Sequence, residues 1–355
     1  MGMEEIQSKD LNQKMAQWFL RFADQVNSSP MYRYLSIQVS TDDQCLALAG
    51  NAEPSQPAPN LFFAAVHFLL EKNRHASSAG ENLAKYYPSL GGQFEPTLEM
   101  FESFKEFCRK FEAEILELLK TKLVQTNEVQ RCALLWPALK LAAQRSQQSE
   151  VALIDVGTSG GLSFLMDQAH VTYSDGIQSG REGSLLRLLC ESRGEALPEL
   201  PSIKVRTRIG IDLNPVDLLN DSERAWNLAL IWPDQLDRRK RLEDALELLK
   251  STSIDFHRGA ANQVLPSAIS KIPNDQLLCV LHSFSLNQFS VDDRLDFDRL
   301  LEAASLTREV WRISLEWLGT KNPELVIAKY ADGKQAWNRK IAECGGHGEW
   351  IDWQP

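Results

Sequence analysis

Asp155, Gly157, Ser159 and Gly161 stand at alternate positions in the stretch VALIDVGTSGGLSFL, residues 151–165. An apolar run carrying one acid leads into glycines and small hydroxylated residues, and a fresh apolar pattern starts at Leu162. That order predicts a buried strand, a tight glycine-rich turn and the start of a helix. Glycine adopts positive φ and leaves no Cβ to block an approaching group. The first turn of a helix aims unpaired N–H groups into the same space. The chemistry expected of such a stretch is the cradling of a nucleotide-like ligand. Further on, RIGIDLNP (residues 208–215) reads as an apolar strand ending in Asp212, with Asn214 just beyond it. A carboxylate at that place accepts hydrogen bonds from both hydroxyls of a ribose.

Two more groups fall at strand ends. His282 lies near the end of the run Leu277–Phe284. A neutral imidazole there serves as a general base near neutral pH or, on the plainer reading, as a hydrogen-bonded core histidine. Glu316 ends the run ISLE and, if buried, requires a partner. His170, His257 and His347 share no ligand-like spacing, so no metal site is expected.

The pattern Asp155-x-Gly157-x-Ser159-x-Gly161 resembles the first motif of the Rossmann-like S-adenosylmethionine-dependent methyltransferases. Ser159 stands where that motif has its middle glycine, a departure that requires negative φ at residue 159. Asp212 lies 57 residues beyond Asp155, whereas a simple βαβ unit places the ribose acid about 20 residues on. An insertion must absorb the difference. The resemblance further implies an acid near Ala260 to meet the adenine amino group. None is present there, and the side-chain carbonyl of Asn262 is the available substitute. A rival reading uses the same loop. Gly157-x-Ser159-x-Gly161 also matches the nucleophile elbow of serine hydrolases, with His282 or His347 as its histidine. No His-Gly-Gly oxyanion stretch precedes the loop, and on this reading Asp155 and Asp212 have no role.

The elements that position these residues follow from the patterning. Up to about residue 145 the periodicity is helical. Met15, Trp18, Phe19, Phe22 and Val26 form one stripe, and Leu61–Leu70 is apolar almost all round. Phe101, Phe104, Cys108, Phe111, Ile115 and Leu118 form a coiled-coil-like seam on one long helix, facing either its own domain or a partner chain. Tyr32–Val39 reads as a short strand or an extended connection. A further helix is expected from Thr126-Asn127-Glu128, with Pro137 kinking it. After Ser149 short apolar runs alternate with helical stretches, which implies a mostly parallel sheet with helices on its faces. The glycine-rich YSDGIQSGRE between the first two strands reads as a small hairpin, either a plain surface loop or a lid over the site.

The chain has 355 residues and a net charge of −10, which argues against a broad nucleic-acid or anionic-membrane footprint. The cluster Arg238–Arg241 sits in an amphipathic helical pattern and is read as a solvated face. Six scattered cysteines without a CxxC pair indicate neither a zinc module nor a disulfide framework, and fit reduced thiols in the cytoplasm. The terminus MGMEEIQSKD has no apolar signal core, and no run approaches the length of a membrane span.

The chain as a whole resembles the bacterial family classed as domain of unknown function 2332, which has a methyltransferase-like fold. The segments that carry the resemblance are QTNEVQRCALLWPAL (125–139), LIDVGTSGGLSFLMDQ (153–168), RIGIDLNPVDL (208–218), LIWPDQLDRRKRL (230–242), VLHSFSL (280–286) and HGEWIDW (347–353). The resemblance draws attention to Asn127, Glu128 and Arg131, spaced to share one helix face, and to Trp232-Pro233-Asp234 with Arg238. Either set lines a substrate pocket or is structural, as a helix cap and an inter-domain ion pair respectively.

The fold expected is α/β. A mostly helical region over residues 1–145 precedes a Rossmann-like, mostly parallel sheet with helices on both faces over residues 146–355, with an insertion at about 170–203. The function expected is methyl transfer from S-adenosylmethionine to a small molecule in the cytoplasm, with no nucleic-acid or membrane partner. Asp155, Gly157, Ser159, Gly161, Asp212, Asn214 and Asn262 are the cofactor-binding candidates, and His282 is the general base. Asn127, Glu128, Arg131 and Glu316 line the substrate pocket. The alternatives are a serine hydrolase built on Ser159 and a non-catalytic ligand-binding or interaction protein.

Overall fold

The computed structural model describes residues 3–354, and the chain falls into two compact units. Met1 and Gly2 of the acidic terminus lie outside the described residues. One unit holds residues 1–126 and 220–240, the other residues 127–219 and 241–355. The sequence suggested one boundary near residue 145. Instead the helix Cys132–Ser146 belongs with the sheet, and the helix Asp221–Ala229 belongs with the N-terminal helices.

The first unit is helical. Met15, Phe19, Phe22 and Val26 are buried as their spacing requires, while Trp18 at the margin of the stripe stays 39% exposed. Residues 61–70 are buried on every side of the helix Ala58–Asn73. Residues 32–39 are not a strand. Pro30 opens the helix Pro30–Val39, and the Ser29 hydroxyl oxygen accepts the Tyr32 N–H at 3.2 Å. The Ser29 hydroxyl in turn donates to Asp234 at 2.7 Å, which gives the Trp232-Pro233-Asp234 patch a structural task. The seam at 101–118 is broken at Phe111 into the helices Leu98–Lys110 and Glu112–Thr121. Its apolar residues enter the unit's own core. The basic run is not uniformly solvated, since Arg239 pairs with Glu71 at 2.7 Å.

The second unit carries one eleven-stranded sheet. Its strands are β1 (Glu150–Val156), β2 (His170–Tyr173), β3 (Gln178–Gly180), β4 (Arg187–Gly194), β5 (Lys204–Asp212), β6 (Asp255–Arg258), β7 (Leu277–Ser283), β8 (Val310–Glu316), β9 (Glu324–Ala331), β10 (Lys334–Cys344) and β11 (Trp350–Trp353). They lie in the order β3-β2-β4-β11-β10-β9-β8-β7-β1-β5-β6. The neighbours β6, β5, β1, β7 and β8 are all parallel, β8 to β11 pair antiparallel, and β11, β4 and β2 are again parallel. β1 and β7 are apolar almost throughout because both are central and covered. From one face of β1, Ala152, Ile154 and Val156 pack with Leu265 and Phe297 of the helices Ala261–Ser270 and Val291–Ala304. The helix Cys132–Ser146 packs on β4, β7, β8 and β9.

The insertion after β1 is part of the sheet. YSDGIQSGRE does form a hairpin, pairing β2 with β3, but β3 is the outermost strand and β4 continues the sheet beside β11. It is not a lid on the glycine loop. The winding reverses between β1 and β7: β5 and β6 lie on one side, β7 and β8 on the other. In an open parallel sheet the ligand crevice lies at the carboxyl ends of the strands flanking such a reversal.

No helix among the described residues is long and apolar enough to cross a membrane. All six cysteines are unpaired and buried. No group of three or more metal-ligating side chains occurs among the described residues.

Candidate functional site

Register places the chemistry at one edge. Val156 pairs with Ile211 on one side and His282 on the other, and His282 pairs with Ser314. Gly157, Asp212 and Ser283 come next and Glu316 lies two residues past Ser314, so the four gather at the carboxyl ends of their strands.

The glycine bend after β1 is held by the chain itself. The Gly157 and Thr158 N–H groups donate to the Ile211 carbonyl at 2.8 and 3.2 Å. The Ser159 N–H donates to Asp212 Oδ2 at 2.8 Å and the Gly160 N–H to Asn127 Oδ1 at 3.0 Å. The Gly161 N–H donates to the Thr158 carbonyl at 2.8 Å. All five amides of residues 157–161 are thus engaged, and the expected cradle of free N–H groups is absent. The helix start expected after the bend is a four-residue 3-10 turn, Leu162–Leu165.

Ser159 departs from expectation. Its φ is +46°, in the left-handed region that a serine rarely adopts, where negative φ was required. Three contacts over-determine it. Its N–H is fixed by Asp212, its carbonyl accepts the Val216 N–H at 3.1 Å, and its Oγ lies 3.1 Å from the amide nitrogen of Asn127. The side-chain amide of Asn127 thereby clamps two successive residues of the bend. Asn127 is not a helix cap, and Glu128 and Arg131 do not share a helix face with it. The helix begins only at Cys132, after the 3-10 turn Val129–Arg131.

The small residues of the bend make room for the protein's own side chains. A Cβ on Gly157 would lie 2.0 Å from Ser285 Oγ, and one on Gly160 would lie 2.3 Å from Leu218 Cδ1. Both are closer than packed atoms approach, so a side chain at either position would have to displace Ser285 or Leu218.

Asp155 is buried beneath the bend and accepts the Ser163 hydroxyl. Burial pushes its pKa up to about 6 against that hydrogen bond, and the nearby charge of Asp212 adds to the rise. Asp212 is half-buried. Its Oδ1 accepts the Asn214 N–H at 2.7 Å and its Oδ2 the Ser159 N–H. A carboxylate has about four acceptor directions, so two remain. Asn214 is exposed, and its Oδ1 accepts from Arg258 at 2.9 Å. Asn262 donates to the Asp293 carbonyl at 2.9 Å, and its Oδ1 is sealed from solvent without a partner.

His282 is fully buried, with its ring edge-on to Phe297. Its Nδ1 donates to Glu316 Oε1 at 2.8 Å, the tautomer a carboxylate partner requires. Burial lowers the His282 pKa against the pull of Glu316. Burial acts to raise the Glu316 pKa, but the hydrogen bonds it accepts hold it below the usual carboxylate range. The same Oε1 accepts the N–H groups of Ser285 and Leu286, both at 3.0 Å. His282 was expected to face the crevice as a base, and Glu316 to line a substrate pocket. The pair instead organises the turn after β7.

That turn contains a residue missed from the sequence. Phe284 has φ +55°. For a bulky side chain this is a true outlier, costing about 1–3 kcal/mol, and such strain gathers at binding sites. The Arg131 guanidinium lies 4.2 Å from the centre of its ring, and Arg131 Nε donates to the Gly346 carbonyl at 3.0 Å. Glu128 accepts the Gln130 N–H at 3.1 Å, and its other oxygen lies 3.8 Å from His347 Nδ1. Nothing in the spacing of HSFS signals a left-handed phenylalanine.

The structure thus joins Asn127, Ser159, Gly160, Asp212 and Asn214 in one network, and His282 with Glu316 in another. Arg131 meets Phe284, and Asn262 bonds to the helix Val291–Ala304. The family model described as an uncharacterized protein conserved in bacteria (DUF2332) matches residues 16–353. Neither a curated protein nor a solved structure matches the chain.

Proposed function

The chain belongs to the DUF2332 family, and we propose that it binds an adenosyl ligand, S-adenosylmethionine, at the carboxyl edge of β1 and β5. The observation that carries this reading is the Asp212 carboxylate, set against the Ser159–Gly160 bend with two acceptor directions left for a pair of vicinal hydroxyls. The strand order supports it. β1 is central among the parallel strands, β5 and β6 lie to one side, β7 and β8 to the other, and antiparallel β9 follows, an arrangement that resembles Rossmann-like methyltransferases.

The occupied amides of the bend narrow the ligand class. Phosphate recognition at a glycine turn needs free N–H donors. With residues 157–161 all engaged, a pyrophosphate-bearing dinucleotide fits poorly, whereas an adenosyl group without phosphates asks nothing of those donors.

When bound, S-adenosylmethionine supplies an activated methyl group for a small-molecule acceptor. Asp212 holds hydroxyls, and Asn127 and Asp155 keep the bend rigid beneath them. Methyl transfer rests chiefly on alignment, so the chain's contribution is positioning. His282, buried and bonded to Glu316, is assigned to the scaffold and not to proton removal. The Ser159 hydrolase reading loses support, because the Ser159 hydroxyl is held by Asn127 and His282 is committed to Glu316.

A second reading, a ligand sensor without catalysis, is favoured by the absence of an acid after β6. Calorimetry and melting curves with S-adenosylmethionine, S-adenosylhomocysteine, NAD and ADP test the proposal. A ligand at a hundred times its Kd adds about 2.7 kcal/mol of stability. A shift with the two adenosyl compounds alone is expected. No heat and no shift with either at millimolar concentration overturns it. Binding without turnover of any acceptor selects the sensor.

A further inference from the structure

We propose that the Phe284–Leu286 turn is a gate over the β1–β7 switch point, latched shut by the Glu316 carboxylate, so that a ligand reaches Gly157 only when the turn swings away. The proposal rests on the adenosyl reading for the identity of the ligand and on the geometry of one turn for everything else.

Three observations meet there. Ser285 fills the notch beside Gly157: its Oγ lies 2.0 Å from where a Cβ of residue 157 would stand, and the residue is buried. The closed turn is strained at Phe284, whose left-handed backbone is favoured by glycine and not by a phenylalanine. Finally, one atom of Glu316 accepts the N–H groups of both Ser285 and Leu286 while His282 Nδ1 orients it, and the Phe284 N–H donates to the Leu315 carbonyl at 2.9 Å as the root of the turn. A strained turn whose two successive N–H groups share one buried acceptor gains a second arrangement when that acceptor is lost. The unpartnered Glu316 Oε2 and Ser283 Oγ are the polar atoms left behind the closed turn.

The test uses the full chain carrying Ser285→Cys. All six native thiols are buried, so an aromatic disulfide reagent reports the introduced one. The closed turn predicts slow labelling, and adding Glu316→Ala, which removes the acceptor, with the melting curve retained, is expected to speed it about tenfold or more. Equal rates with and without Glu316→Ala overturn the gate. If Glu316→Ala does not fold, hydrogen exchange of the unaltered chain decides. The Ser285 and Leu286 amides should exchange together, about tenfold or more faster than those of β1. Exchange only in step with β1 overturns the gate. S-adenosylhomocysteine separates the two claims. A changed labelling rate supports gate and ligand together. Binding seen by calorimetry with an unchanged rate overturns the gate. No binding, with Glu316→Ala still accelerating, keeps the gate and removes the adenosyl reading.

Discussion

Asp212 Oδ2 accepts the backbone N–H of Ser159 at 2.8 Å across 53 residues of chain. The contact ties the end of β5 to the bend after β1, and it forms even though β2, β3 and β4 lie between them in sequence. It fixes the geometry of the proposed ribose site and stabilises a backbone conformation that serine does not favour. Several measurable consequences follow from contacts of this kind.

Asp212 serves both bend and ligand, and two substitutions separate these tasks. Asp212→Ala leaves the Ser159 and Asn214 N–H groups without acceptors and should lower stability by about 1–3 kcal/mol. Asp212→Asn keeps one acceptor oxygen and should retain more of that stability. Both should weaken S-adenosylhomocysteine binding at least about tenfold, the loss of about 1.4 kcal/mol. Denaturant midpoints and calorimetry check the pair, and an Asp212→Asn chain that binds as the unaltered protein does would remove the ribose role.

At residue 159 the usual order of small residues should invert. Ser159→Gly loses the Asn127 contact but relieves φ +46°, whereas Ser159→Ala loses the contact and keeps the strain. The glycine variant is expected to be the more stable of the two by about 0.5–1 kcal/mol, read from urea unfolding. Alanine above glycine would show that the backbone there is not left-handed in solution.

Gly157 and Ser285 should behave as a coupled pair. Gly157→Ala places a methyl 2.0 Å from Ser285 Oγ on a backbone with φ +77°. Ser285→Gly removes the clash and leaves the backbone strain. The double variant should therefore recover part of the loss, with a coupling of about 1 kcal/mol or more. Additive losses in a double-mutant cycle would place the two loops apart.

Acid should act on the two units with opposite sign. In the helical unit His67 is fully buried between the Ala229 carbonyl and the Ser89 hydroxyl, and burial lowers its pKa to about 4. Its neutral form stabilises the fold fully above the ordinary pKa of about 6.5. That stability is lost as pH falls from there through about 4, by about 3 kcal/mol in all. Asp155 titrates the other way, since burial raises its pKa to about 6. Its contribution is largest below the ordinary carboxylate pKa and is lost as pH rises through about 6. Asp155→Asn should flatten the second dependence, and a neutral replacement of His67 the first. Denaturation midpoints between pH 4 and 7 show either effect as a change of slope.

The sequence by itself determined the elements with strong periodicity. The apolar runs of β1, β7 and β8 were legible because strands covered on both faces need near-continuous apolar residues, β5 showed only through its apolar end Ile209–Ile211, and Asp155, Asp212 and Glu316 were visible as acids breaking or ending such runs. The long helices were legible for the corresponding reason, a stripe of period 3.6. β10, the longest strand, was missed because Lys334–Cys344 reads polar along most of its length, with its buried residues gathered at one end. Residues 32–39 were misread because one capping serine and one proline, not the apolar pattern, decide that helix.

What only the tertiary structure decided is which groups remain free at the site. The glycines of the bend announced a cradle, yet Ile211, Asp212, Asn127 and Thr158 take its amides, and Leu218 and Ser285 fill the space beside it. His282 and Glu316 were each visible as groups at strand ends, but not as partners, because parallel pairing of β7 with β8 brings together residues 34 apart. A one-dimensional pattern records what a backbone permits. Which donor meets which acceptor is a matter of through-space distance, and that is set only when the strands take their order in the sheet.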